Sequence, residues 1–159
     1  IKQYPLEMRF KPMPKYHDAV LLSNRAKNSP IGKMFIQPQA QLASGETVLL
    51  DEVIGNDFAI IAWGVDPKWG LSPETLQQWK TLGVKFIQVI PAVQLQNTQR
   101  QQFEDVITIG DSGTEIRSWF GNTSDSVVIL RPDRFVAALA IPQSLENTSQ
   151  QLFKKLYLK

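Results

Sequence analysis

The side chains that most often act as nucleophile and general base are scarce in this 159-residue chain. It contains no cysteine and one histidine, His17. Without cysteine there is no thiolate nucleophile, no disulfide and no cysteine-ligated metal. One imidazole in a proline-rich segment cannot build a histidine metal cluster or a serine triad unaided. We therefore predict no catalytic residue and no metal ligand.

The acidic residues do not suggest a catalytic pair. Asp51-Glu52 and Glu104-Asp105 are adjacent in the sequence, so the two carboxylates of each pair point in different directions. The chain has neither Gly-x-Gly-x-x-Gly nor Gly-x-x-x-x-Gly-Lys-Ser/Thr. It thus lacks the fingerprints that bind dinucleotides and phosphates. We expect no cofactor-binding residue in this chain.

The loop Gly64–Ser72 holds the best candidates for an interaction site. It contains Asp66, Lys68 and Trp69. A tryptophan in a glycine-flanked loop can serve as an exposed docking residue. An exposed pair within the loop is the alternative for the aspartate and the lysine. Together with Tyr16 of the N-terminal segment, these three residues form the predicted interface.

A βαβ unit over residues 58–90 must position this loop. The apolar run 58–63 predicts a buried strand, and 84–90 predicts a second one. Between them a helix is predicted over 72–82, because Ser72 can cap it, a proline follows in its first turn and Gly83 can end it. The two strands are expected to be parallel, with a right-handed crossover.

Weaker patterns indicate the remaining elements. Four prolines disfavour helix in residues 1–30, which we read as an extended arm or linker before a domain at 31–159. The other predicted elements are a helical turn at 51–54, a polar surface helix or loop at 94–104, a short extended segment at 106–109, a helix at 114–120 and an amphipathic helix at 144–158 behind a Ser144 cap.

Two apolar runs near the C-terminus, 127–131 and 135–140, predict a β-hairpin. The turn between them consists of Arg131, Pro132, Asp133 and Arg134. Proline at the second turn position has its φ already set for a tight reversal. We expect Arg131 and Asp133 to pair or to cap local backbone groups. Arg134 is expected in a left-handed conformation, so that Arg134→Gly would stabilise the domain by up to about 1 kcal/mol.

This hairpin resembles a signature of the phenol-hydroxylase-like group of flavin-dependent aromatic hydroxylases. Leu130-Arg131-Pro132-Asp133 followed by Phe135-Val136-Ala137 is similar to the Leu-x-Arg-Pro-Asp-Gly-Tyr-Val-Ala-Trp-Arg motif near their C-terminus. Arg134 replaces the glycine of that motif, and Ala138-Leu139 replaces Trp-Arg. The signature is therefore present in a weakened form.

Both the resemblance and the order of elements imply an α/β, thioredoxin-like fold. Its mixed central sheet would have strand 58–63 between 84–90 and 127–131, with 135–140 at the edge and helices on the faces. In redox-active members of this fold the dithiol lies in the loop after the first core strand, which here is Gly64–Ser72. That loop has no cysteine, and Asn122–Asp125 replaces the catalytic proline before the hairpin, so we expect neither thiol–disulfide exchange nor peroxidase activity.

The resemblance implies a non-catalytic C-terminal domain of an enzyme that uses FAD, NAD(P)H and O₂ to hydroxylate a phenolic ring. Such a domain would pack against the preceding flavin- and substrate-binding domains of the same chain, or would support a homodimer. The alternative is a free-standing, redox-inactive thioredoxin-like or peroxiredoxin-like binding module.

Composition narrows the partners and the location. The net charge is only +2, with 43% hydrophobic and 20% charged residues, which gives no reason to expect a nucleic-acid or membrane-surface partner. No apolar run reaches the roughly 20 residues of a membrane span. We expect a cytoplasmic location. Because the chain begins with Ile1 rather than methionine, we also expect it to be a fragment of a longer protein.

Overall fold

The protein is built on one seven-stranded mixed sheet. The computed structural model describes residues 29–97 and 102–157. The strands are β1 (Gln39–Gln41), β2 (Thr47–Leu49), β3 (Ala59–Trp63), β4 (Lys85–Pro91), β5 (Val106–Asp111), β6 (Val127–Leu130) and β7 (Val136–Ala140). They are arranged in the order β2-β1-β5-β4-β3-β6-β7.

The sheet has the predicted strand order around β3. This strand pairs in parallel with β4 and antiparallel with β6, so that Ile61 lies opposite both Ile87 and Val128. β7 pairs antiparallel with β6 and forms the edge. Ile60 and Ile61 point to opposite faces, yet both are 0% exposed. The continuous apolar run thus reflects a strand that is covered on both sides.

The helices within the described residues are α1 (Leu50–Ile54), α2 (Pro73–Thr81), α3 (Glu115–Gly121) and α4 (Leu145–Tyr157). α2 follows the predicted start signal, because the Ser72 hydroxyl accepts a hydrogen bond from the Thr75 amide at 3.1 Å. Gly83 has φ +78°, which only glycine adopts without strain, and this conformation turns the chain from α2 into β4.

Each face of the sheet carries its own hydrophobic core. On the first face, Trp79 of α2 lies with its ring centroid 4.8 Å from Phe153 of α4 and 5.8 Å from Phe58. Its indole nitrogen donates to the Ser149 hydroxyl at 2.8 Å, so burial leaves this polar group satisfied. The second face is covered by α1, α3 and the segment before β1, through Phe35, Leu50, Ile54, Ile116 and Phe120.

The sequence underestimated β5. We predicted a short extended segment at 106–109, whereas the strand runs to Asp111 and pairs in parallel with β4 over six positions. Thr108 and Gly110 interrupt its apolar pattern, so the usual strand signal is weak. Gly110 is needed there for packing: a Cβ would lie 2.7 Å from Leu95 Cδ1 and 2.9 Å from Ala92 Cα.

Two smaller differences concern the ends of the domain. β1 and β2 were not predicted as strands, because three residues each are too few to show a period. The last helix starts at Leu145, after a 3-10 turn at Pro142–Ser144. The Ser144 hydroxyl accepts from the Ile141 amide at 3.2 Å, and it therefore belongs to this turn.

Part of the sequence-based interpretation lies outside the described residues. This applies to almost all of the predicted arm at 1–30, including Tyr16 and His17, and to residues 98–101 of the polar segment. Among the described residues, no helix has both the length and the apolar character needed to cross a bilayer.

Candidate functional site

The hairpin turn is a three-residue loop closed by backbone hydrogen bonds. The Arg134 amide donates to the Arg131 carbonyl at 2.9 Å, and the Arg131 amide donates to the Phe135 carbonyl at 3.0 Å. Arg134 has φ +72°. A turn followed by one left-handed residue is a common way to close a three-residue hairpin. Arginine therefore occupies a conformation that normally favours glycine.

Arg131 is buried beneath this turn and paired with Asp133. Its side chain is 1% exposed, and its Nε donates to Asp133 Oδ1 at 2.9 Å. The same carboxylate oxygen accepts from the Phe135 amide at 3.2 Å. The guanidinium carbon lies 5.2 Å from the centroid of the Phe135 ring, within range of a cation–π interaction. These contacts of the pair are made within the hairpin itself.

Arg134 joins the turn to the C-terminal end of α1. Its Nε donates to Asp51 Oδ1 at 2.9 Å, and its Nη2 donates to the Gly55 carbonyl. Lys85 reaches the same helix end, donating to the Ile54 carbonyl at 3.3 Å. Two cations thus meet carbonyls that the end of a helix leaves without partners. The expected stabilisation by Arg134→Gly is opposed by the loss of these contacts, which glycine cannot make.

Hydrogen bonds hold the first part of the loop after β3 in place. The Gly64 amide donates to the Val89 carbonyl at 2.8 Å. Asp66 Oδ1 accepts from the Lys68 amide at 2.9 Å, and Lys68 Nζ donates to the Glu104 carbonyl. Both charged side chains therefore hold the loop in place. Trp69 between these contacts and α2 is 54% exposed.

A second exposed apolar residue lies beside this loop. Gly70 approaches the connection between β7 and α4 so closely that a Cβ on it would lie 3.1 Å from the Pro142 carbonyl oxygen. Trp69, which precedes Gly70 in the sequence, is 54% exposed, and Ile141, which precedes Pro142, is 40% exposed. Sequence reasoning missed Ile141. The available signal was its place as the first residue after an apolar edge strand.

Glu146 of α4 fixes the other end of the loop. Its carboxylate accepts from the Ser72 amide at 2.8 Å, from the Ser72 hydroxyl at 3.2 Å and from the Thr75 hydroxyl at 2.6 Å. These bonds, the one from the Ser72 backbone first, hold the pKa of Glu146 below its ordinary value. No sequence signal marked this contact, since the partners are distant in the chain.

The segment before the hairpin has its own local network. Thr123 Oγ1 donates to the Asp125 carbonyl at 2.9 Å and accepts from the Asp125 amide at 3.1 Å. Burial raises the pKa of the Asp125 carboxyl.

Within residues 29–97 and 102–157, no three metal-ligating side chains cluster. Of the predicted interface residues, Asp66, Lys68 and Trp69 lie in the loop after β3, and this loop is separate from the hairpin turn.

Residues 32–155 match the protein family described as HcaD C-terminal domain. Two relatives are 3-(3-hydroxy-phenyl)propionate/3-hydroxycinnamic acid hydroxylases. That of Shigella sonnei (strain Ss046) is 52% identical over 153 residues, which cover 96% of this chain and 27% of the relative. That of Klebsiella pneumoniae (strain 342) is 52% identical over 159 residues, covering 99% and 28%. The chain therefore spans little more than a quarter of these relatives.

Solved structures with low sequence identity share the fold. Yeast Sco1 superposes with a TM-score of 0.54 at 10% identity, over 79% of this chain and 96% of Sco1. A mutant of peroxiredoxin 6 from Arenicola marina gives 0.50 at 16%, over 82% and 74%. Aklavinone-11 hydroxylase, in complex with FAD and aklavinone, gives 0.52 at 14%, over 84% of this chain and 25% of the hydroxylase. The predicted thioredoxin-like fold is confirmed.

Proposed function

Because the chain belongs to the family of HcaD C-terminal domains, we propose that it is a non-catalytic domain which packs against the preceding flavin- and substrate-binding domains of an aromatic hydroxylase. The observation that carries this proposal is the match to hydroxylases over 96% of this chain but only 27% of the relative. The complete enzyme would use FAD, NAD(P)H and O₂ to hydroxylate a phenolic ring, and would work in the cytoplasm.

The composition of the loop after β3 supports a non-catalytic role. Redox chemistry in this fold needs a thiolate in that loop, and the chain contains no cysteine. Polar groups of the loop already make structural hydrogen bonds: Asp66 accepts from the Lys68 amide, and the Ser72 amide donates to Glu146. In this proposal these residues maintain the shape of the loop and take no part in a reaction.

The proposal assigns FAD to the preceding domains because the described residues 29–97 and 102–157 do not offer the usual dinucleotide-binding turn. A dinucleotide is usually held at a glycine-rich turn between a strand and a helix, where backbone amides approach the pyrophosphate. The sequence has no Gly-x-Gly-x-x-Gly. After β3 the loop holds the exposed ring of Trp69 and the buried Pro67, which do not form such a turn. In this proposal FAD is bound by the preceding domains, and no chemical step passes through residues 1–159.

The small share of the relatives that this chain covers favours packing against preceding domains over the other roles. This chain covers 27–28% of the two hydroxylases, and the family that it matches is described as a C-terminal domain, as expected for one domain of a longer enzyme. A homodimer remains compatible with domain packing, because an edge strand or an exposed loop can serve either contact. The exposed Trp69 is the type of side chain that anchors such contacts.

The proposal can be tested by expressing this chain and the preceding region of its complete protein separately. The isolated chain should be colourless and should not oxidise NAD(P)H, while the flavin should copurify with the preceding region. Mixing the two should give a one-to-one complex in sedimentation velocity.

Two results would count against the proposal. Stoichiometric flavin that stays with residues 1–159 through gel filtration would show that this part binds the cofactor. Two components that sediment independently at every concentration would show that the domain does not pack against the preceding region.

A further inference from the structure

We propose that Trp69, Gly70, Ile141 and Pro142 form the surface on which the preceding domains of the same polypeptide dock; this rests on the proposed function above. The four residues come from two connections, the loop after β3 and the segment between β7 and α4. They are called the Trp69–Ile141 surface below.

The two connections form one continuous surface because their backbones touch. A Cβ atom added to Gly70 would lie 3.1 Å from the Pro142 carbonyl oxygen. Trp69 and Ile141 flank this contact and are 54% and 40% exposed. Trp69 and Ile141 are the sequence neighbours of the two residues in contact, and tryptophan in particular is enriched among the residues that anchor protein interfaces.

The surface is held in one conformation before any partner binds. Asp66 and Lys68 fix the first half of the loop through the Lys68 amide and the Glu104 carbonyl. Glu146 fixes the second half by accepting from the Ser72 amide at 2.8 Å. Because these groups are ordered within the domain, little conformational entropy remains to be lost on docking. Asp66, Lys68 and Glu146 are therefore positioning residues.

One exposed apolar residue at the opposite end of β7 provides a control. Met34 is 56% exposed and forms a β-bridge with Phe135, at the end of β7 opposite to Ile141. Single exposed side chains of this kind are common on protein surfaces and need no partner. Val93, 89% exposed in the 3-10 turn after β4, is not used as a control, because parallel β3 and β4 end at the same edge of the sheet.

The length of the relatives favours the preceding domains as the partner. This chain covers 27% of the Shigella sonnei hydroxylase, and its family is a C-terminal one. In the complete protein most of the polypeptide would thus precede the domain and remain tethered to it. A tethered partner has an effective concentration in the millimolar range, so even a small apolar surface can be occupied by it.

The test uses the complete protein with FAD bound. Small-angle scattering and sedimentation velocity are measured for the wild type, for Trp69→Ser with Ile141→Ser, and for Met34→Ser as the control. We expect a compact wild type and a compact control. In the Trp69/Ile141 variant, the ratio of docked to undocked domain should fall at least about tenfold, which corresponds to about 1.4 kcal/mol. Flavin content and far-ultraviolet circular dichroism should not change. Trp69→Phe should stay compact, because it keeps an aromatic anchor.

Each other outcome overturns a different statement. If the Trp69/Ile141 variant stays as compact as the wild type, the domain docks through another face, and only the present inference fails. If the wild type already behaves as two independent bodies, the proposed function fails as well. If the variant changes a dimer into an equally compact monomer, the partner on this surface is a second copy of the chain, and the assignment to the preceding domains is wrong.

Discussion

The hairpin turn and the Trp69–Ile141 surface lie at opposite ends of β7 and differ in how their side chains are used. At the turn, Arg131 is 1% exposed and paired with Asp133, and Arg134 reaches Asp51 of α1 at 2.9 Å. At the other end, Trp69 is 54% exposed. Charged side chains are thus buried and bonded at one end, while the exposed indole of Trp69 lies beside the exposed connection after β7 at the other. In our proposal the turn serves the domain, and the opposite end serves a partner.

The largest expected effect is at Arg131. Arg131→Met would leave the Asp133 carboxylate without its charged partner, and breaking a buried pair in this way costs about 3–5 kcal/mol. Urea unfolding of the 159-residue chain measures the loss. Arg117→Met on the exposed side of α3 is the control and should change stability by less than about 0.5 kcal/mol. If the two variants unfold at the same urea concentration, the pair contributes nothing to the turn.

Arg134→Gly should destabilise the domain by about 1–2 kcal/mol. Relief of the left-handed backbone favours the variant by about 1 kcal/mol, but the bonds to Asp51 and to the Gly55 carbonyl are lost, and because Asp51 is 31% exposed the two bonds together are worth about 2–3 kcal/mol. Arg134→Asn, which tolerates the same φ, should lose a similar amount. A glycine variant as stable as the wild type in urea would mean that the contacts with α1 are not important.

Glu146 should give a smaller effect that depends on pH. Its folded-state pKa lies below the ordinary value of about 4.5, so its contribution is present above that value and is lost as the pH falls through the folded pKa. Glu146→Gln should therefore destabilise the chain by less than about 1 kcal/mol at pH 7, given its solvent exposure. The difference from wild type should shrink towards pH 3. Glu74→Gln, at an exposed position on α2, is the control variant in the same melts.

The smallest effect on stability is expected at Trp69. Trp69→Ala should change the free energy of unfolding by less than about 0.5 kcal/mol, because the side chain is 54% exposed. Trp79→Ala, in contrast, removes a ring that is 1% exposed and should cost about 3–5 kcal/mol. Thermal and urea melts of both variants make this comparison. A loss of several kcal/mol at Trp69 would place it in the core and remove the reason to expect a partner there.

Local signals explain what could be predicted from the sequence. The βαβ unit has a cap at Ser72, an end at Gly83 and two continuous apolar runs, all within short stretches of chain. The hairpin has proline in its turn and apolar residues on both sides. Such features act over a few residues and can be read directly. β5 was underestimated because a polar and a glycine residue interrupt it, although β4 pairs with it over six positions.

The contacts that define the two ends could not be predicted, because they join distant parts of the chain. Arg134 meets Asp51 only after the hairpin has folded against α1. Glu146 meets Ser72 only when α4 covers α2. The sequence suggested Trp69 as an interface residue, yet the approach of Gly70 to the following connection depends on the packing of the whole sheet. Periodicity and capping rules contain no information about such pairs.

Hydrogen exchange tests the difference between the two ends most directly. Amide exchange is measured by mass spectrometry for the isolated chain and for the complete flavin-loaded protein, in the loop 64–71 and in the turn 131–134. The account predicts that exchange in the loop slows at least about tenfold in the complete protein, while exchange in the turn is the same in both. Equal exchange of the loop in the two proteins, or slower exchange confined to the turn, would contradict it.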